Sequence, residues 1–167
     1  VNQQASTDDK DSIKVVLNLI DDVGGAWSHH YSTDYTNRFR TNTYLSRHFC
    51  MPYLWTSEPH TNQLVRERTT EALYRYLYQS SYSTPETLEE HIEQEVYIRQ
   101  QVIGKTEQEH SDLWEVIGEG YESHLKSTDY TLIFNFLYGN VASESLGYAT
   151  YGRKDSEGII NELARYI

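Results

Sequence analysis

Residues 128–146, TDYTLIFNFLYGNVASESL, form the densest apolar run in the chain, and their reading decides the fold class. Leu132, Ile133, Phe134, Phe136, Leu137 and Tyr138 leave no polar side on a helix, so a helix here is central and buried all round. Thr128-Asp129 supplies a capping start, and the helix is expected to run to Leu146. A buried strand over 131–138 would satisfy the same run, because periodicity does not separate the two for a short apolar stretch. Helix is the preferred reading.

Working outward, the segment from Glu58-Pro59 to about Ser80 places Leu64, Val65, Thr69, Ala72, Leu73, Tyr76 and Leu77 on one broad helical face. Thr84-Pro85-Glu86 is a start signal for a helix from Pro85 to Ile103, since Thr can cap and Pro at the first position gives up no needed donor. Gly104 is placed to stop it, and Thr106-Glu107-Gln108-Glu109 fits a capping box that opens a further helix from about Glu107 to Leu125. At the start of the chain, Ile13, Val16, Leu17 and Ile20 recur at helical spacing and predict a helix over 9–23 behind a polar tail, 1–8. Asp155-Ser156 ahead of Ile159, Ile160, Leu163, Tyr166 and Ile167 predicts a terminal amphipathic helix. The stretch 26–56 has no sustained period. It reads as one long irregular segment with room for short strands, and a segment of that length is usually either functional or hides an unrecognised element. The sum is a mainly α fold, an irregular bundle of about six helices in a single domain over 1–167.

The pentapeptide Ser-Thr-Asp-Tyr-Thr occurs at 32–36 and again at 127–131. The flanking periodicities do not correspond, so reused capping chemistry or coincidence is preferred over an internal duplication.

The formal net charge is −11, which opposes binding to a polyphosphate backbone and to anionic membranes. No apolar run has the length of a membrane span, and the single cysteine, Cys50, excludes an intrachain disulfide framework. A soluble protein follows, with the cytoplasm the expected compartment and a lost export signal the alternative. The acidity is concentrated in 84–126, where eleven acidic and three basic residues leave −8, while three arginines against one aspartate make 24–57 the net basic stretch. The acidic hairpin reads as a solvated face or as a docking face for a basic partner or cation. Fifteen tyrosines, among them Tyr74, Tyr78 and Tyr82 at four-residue steps, can finish a core rim or form an interface, so a protein partner or a homodimer is expected.

None of the common catalytic or nucleotide-binding motifs is present. Two constellations remain. On the 85–103 helix His91 and Glu95 are four apart, and an antiparallel hairpin would bring His124 to the same level, giving two imidazoles and a carboxylate for a divalent metal or for His/Glu acid–base chemistry. No cofactor is otherwise expected. In the irregular segment, Trp27, His29, His30, Asp34, Arg38 and Arg40 gather stacking, acid–base and anion-anchoring groups, the place to expect a ligand. Cys50 among Phe49, Met51 and Leu54 reads as a buried small hydrophobe rather than a nucleophile. Two functional readings follow: a domain acting through protein contacts or self-association, or a small metal-dependent or His/Glu acid–base hydrolase or ligand-binding protein.

Overall fold

The computed structural model describes residues 12–24, 29–103, 121–151 and 156–164. In chain order these form β1 (Lys14–Val15), β2 (Asn18–Ile20), α1 (His30–Phe39), α2 (Asn42–Leu45), β3 (Phe49–Cys50), β4 (Tyr53–Trp55), α3 (Asn62–Ser81), α4 (Leu88–Ile103), a 3₁₀ turn (Glu122–His124), α5 (Tyr130–Ser145) and α6 (Ile159–Ala164). The fold is helix-rich with a few short strands. Among the described residues four helices reach seven residues or more, fewer than the about six expected for the whole chain. The expected polar tail, the Thr106–Glu109 capping box and most of the 107–125 helix lie outside the described residues. The described end of that helix is the 3₁₀ turn.

α5 is the centre of the core, as its composition requires. Residues 132–139 are all buried, and they pack with Tyr35 and Phe39 of α1, Leu88, Ile92 and Val96 of α4, Tyr121, and Ile159 and Leu163 of α6. Asp129 caps α5 by accepting from the Leu132 amide at 2.9 Å. The helix breaks at Gly139, whose φ of 82° and ψ of −177° only glycine adopts readily. The loop before α6 fills the break: Ser156 O accepts from the Asn140 amide at 2.9 Å, and a Cβ on Gly139 would lie 2.5 Å from the Glu157 carbonyl carbon. The polar Asn135 inside this core is satisfied by Ser143, Asn140 and the Tyr151 amide.

Over its described residues, 12–23, the helix expected over 9–23 is not formed. Residues 14–20 run instead as an extended segment parallel to 49–55, Lys14 pairing with Phe49 and Asn18 with Tyr53. The apolar residues here are mostly β-branched or spaced to suit either period, and the availability of a partner segment decides between them. The amides of Lys14, Val16 and Asn18 donate to His48, Cys50 and Pro52. Pro52 has no N–H to return to Val16, which splits the pairing into two short ladders. Val15, Leu17 and Leu19 stay 45–59% exposed.

The segment 26–56 corrects the sequence reading in part. Its short strands are β3 and β4, but 30–39 is a helix rather than irregular chain. The buried residues of α1 are Asp34, Tyr35, Arg38 and Phe39, so half of its inward stripe is charged and hydrophobic periodicity does not register it. The same pentapeptide therefore serves two roles: inside α1 its Asp34 is a buried ion-pair partner, whereas before α5 its Asp129 is a cap.

α3 begins at Asn62 with Thr61 as its cap, accepting from the Leu64 amide at 3.1 Å. Its expected apolar face is not the buried one: Leu77 is 45% exposed, and the buried residues are Arg75 and Gln79. α4 starts three residues later than expected. Thr87 and Glu90 form the capping box there, Glu90 accepting from the Thr87 and Glu86 amides and Thr87 Oγ1 from the Glu90 amide.

Candidate functional site

α1 lies between two polar features, and its alternating stripes build both. Asp34 and Arg38 are four residues apart; Asp34 faces β4 and α5, and Arg38 faces α4. Arg38 Nε donates to Asp34 at 2.6 Å and its Nη1 to Glu95 at 2.7 Å. From α3, Arg75 donates through Nε and Nη2 to Glu95 at 3.1–3.3 Å. Tyr53 and Tyr138 hydroxyls donate to Asp34, while Gln79 and Gln94 close the network by bonding one another and the Arg38 carbonyl. All four ionised residues are buried. Burial alone would raise the carboxyl pKa values. It is outweighed at Asp34 by the Arg38 charge and the two phenol donors, and at Glu95 by Arg75 and Arg38, so both carboxyls are held below their ordinary values.

Tyr35, Phe39 and Arg40 form one wall of a cleft of about 580 Å³, whose lining also includes Pro85, Glu86, His91 and Tyr130. His91 donates from Nδ1 to the Thr87 carbonyl at 2.6 Å, which leaves Nε2 as acceptor for the Tyr35 hydroxyl at 3.1 Å. Burial lowers the His91 pKa and keeps the ring neutral, in keeping with that tautomer. The phenols are neutral as well: burial raises Tyr35 and pushes Tyr130 up to about 12. The Arg40 guanidinium lies over both rings, 6.0 Å from the Tyr35 centroid and 5.9 Å from that of Tyr130, and makes no ion pair with a carboxylate among the described residues. A flat cationic surface over neutral aromatic walls can hold a planar anion.

The residues singled out from sequence are dispersed. Trp27 lies outside the described residues. His29 precedes α1 and reaches Ser145 at 3.3 Å; His30 stacks on Trp55 with centroids 4.1 Å apart and stands 3.5 Å from Asp22. Asp34 and Arg38 belong to the buried network, and Arg40 alone of that set lines the cleft. His91 and Glu95 share a helix but not a partner, for Glu95 is occupied by arginines and both His91 nitrogens are occupied. His124 packs against Phe136, 5.3 Å between centroids. Among the described residues no three metal-ligating side chains converge.

Sequence reasoning missed Arg68, Glu71, Arg75 and Gln79 on α3. Their spacing of 3, 4 and 4 is a polar stripe at helical period, facing Glu95 and Arg99 at spacing 4 on α4. Reading charged residues for periodicity, as apolar ones are read, would have found them.

Comparison with known proteins yields no match to a family model, to a curated protein or to a solved structure.

Proposed function

We propose that this protein is a small-molecule binding domain whose ligand carries a flat ring and a carboxylate, held in the cleft between α1, the loop before α4 and the start of α5. One observation carries the reading: a cation without a carboxylate partner among the described residues lies over two tyrosine rings in a cleft of about 580 Å³. That volume falls in the range of small-ligand sites. In this arrangement Arg40 pairs with the carboxylate, Tyr130 and Phe39 cover the ring, and the Tyr35–His91–Thr87 chain of hydrogen bonds keeps the floor rigid. His91 and the two phenols are neutral, and Glu86 is the one carboxylate in the lining, at the loop before α4.

The test is saturation-transfer NMR and calorimetry with benzoate and its neutral isostere benzamide. Benzoate is expected to bind the wild type more tightly than benzamide, and Arg40→Gln to abolish the preference. Equal binding of the two probes, or a preference that survives Arg40→Gln, overturns the reading.

A second reading, association through protein contacts, is favoured by one observation. The outer edge of 14–20 places exposed Val15, Leu17 and Leu19 beside backbone groups directed away from the 49–55 partner. Sedimentation of the wild type and of Leu17→Lys distinguishes a dimer held by that edge from a monomer.

A further inference from the structure

The geometry points to a second binding site, for a tetrahedral oxyanion, in a separate cavity of about 180 Å³ between α3, α4 and α6. It is distinct from the aromatic cleft and does not depend on the function proposed for it. Arg68 and Arg75 of α3, Arg99 of α4 and Arg38 of α1 line this cavity together with Glu71 and Glu95.

Three of these arginines hold a carboxylate at hydrogen-bond distance, but Glu71 is reached by none of them. Arg38 and Arg75 are bound to Asp34 and Glu95, and Arg68 Nη2 donates to Glu58 at 2.7 Å. Glu71, by contrast, stands 3.7 Å from Nη1 of Arg68 and 3.7 Å from Nη1 of Arg99, beyond hydrogen-bond range. The Nε–H groups of Arg68 and Arg99 are buried without an acceptor. Both of these guanidinium groups line the one cavity, and buried donors in folded proteins are almost always paired. Nη2 of Arg99 donates to the Ala164 carbonyl at 3.2 Å, which ties the side chain to the end of α6.

A tetrahedral oxyanion supplies acceptors in several directions at once and, unlike a bridging water, brings negative charge to the guanidinium groups. The carboxylates Asp34, Glu58, Glu71 and Glu95 balance the four guanidinium charges, so the anion is recognised by directed donors rather than by surplus charge. Glu71 opposes it, which makes Glu71 the residue that limits affinity.

Calorimetric titration of the full chain with inorganic phosphate and with methyl phosphate, at ionic strength fixed with chloride, tests the site. Phosphate is expected to bind the wild type. Arg99→Gln should weaken it at least about tenfold, the loss of charge-assisted hydrogen bonds. Arg99→Lys, which keeps the charge without the fork, should fall between, and it replaces Arg99→Gln as the test if that variant does not fold. Arg66→Gln, an exposed charge change on the same helix, should leave binding unchanged, and Glu71→Gln should tighten it several-fold by removing the like charge. Methyl phosphate binding as well as inorganic phosphate identifies the occupant as the phosphoryl group of a larger molecule; binding of inorganic phosphate alone identifies the free ion. Absence of binding by both probes, or phosphate binding unaffected by the Arg99 variants, overturns the site.

Discussion

Replacing Glu95 by Gln removes the carboxylate on which two buried guanidinium groups converge. Glu95 accepts from Arg38 Nη1 at 2.7 Å, from Arg75 Nε and Nη2 at 3.1–3.3 Å, and from Gln94. In Glu95→Gln, Arg38 retains Asp34, but Arg75, 5% exposed, keeps no carboxylate within ion-pair distance among the described residues. Breaking a buried pair from one side costs about 3–5 kcal/mol, because it leaves the other charge desolvated and unmatched. For a chain of this size each kcal/mol shifts Tm by roughly 2–4 °C, so a loss of roughly 6–20 °C is expected. Urea unfolding at pH 7, followed by circular dichroism, measures it. Glu71→Gln is the control, with ion-pair distances of 3.7 Å at the cavity and an expected cost under about 1 kcal/mol. The double variant Glu95→Gln/Arg75→Met should be more stable than Glu95→Gln alone, since it removes the stranded charge. Equal costs for the two single glutamine variants, or an Arg75→Met change whose cost simply adds to that of Glu95→Gln, would refute the reasoning. The network also has a pH signature. The carboxyls of Asp34 and Glu95 are depressed in the folded state below 3.8 and 4.5, so the stability they confer is complete above those values and is lost as the pH falls through the folded ones.

His91 works at higher pH. Burial depresses its pKa below 6.5, so the unfolded chain takes up the proton first and stability declines as the pH falls below 6.5; urea midpoints from pH 7 to 5 should show that slope, and His91→Gln should lack it. Gly139→Ala forces a side chain into a φ of 82° and against the Glu157 carbonyl carbon; thermal melts should show a loss of at least about 2 kcal/mol. Cys50 is 3% exposed, and burial pushes its thiol up to about 11. A disulfide reagent at pH 8 should leave it unmodified in the native protein and react with it fully in urea.

What the sequence revealed depended on which residue types faced inward. The centre of the fold was legible because Leu132 to Tyr138 is apolar except for Asn135 and admits only a buried element, and α3, α4 and α6 were legible as helices from their periods. The N-terminal segment was misread as a helix because Ile13, Val16, Leu17 and Ile20 satisfy a helical period by accident, while the parallel partner that selects the strand lies some 35 residues along the chain. α1 was overlooked for the opposite reason. Asp34 and Arg38 sit on its buried stripe, and a search for apolar spacing discards them. The candidate site shows the same division: Arg40 and His91 were chosen for their chemistry and do line one cleft, but nothing in the spacing of Arg40 and Tyr130 announces that a guanidinium will lie over that ring.

The polar network also explains how α3 is oriented. Its apolar residues Leu64, Val65, Ala72, Leu73 and Tyr76 are all only partly buried and Leu77 is exposed, so hydrophobic burial favours no single rotation of the helix strongly. The stripe of Arg68, Glu71, Arg75 and Gln79 does. Turning α3 by one residue, about 100°, would carry Arg75 away from Glu95 and Gln79 away from Gln94, leaving buried charges and amides unmatched at several kcal/mol each. An apolar seam of the same shape would tolerate such a shift at the cost of some packing. The buried charges therefore contribute less to net stability than to the uniqueness of one arrangement. In that arrangement Arg68 and Arg99 both line the small cavity, and α1, gripped through Arg38, presents Arg40 at its end to the aromatic cleft.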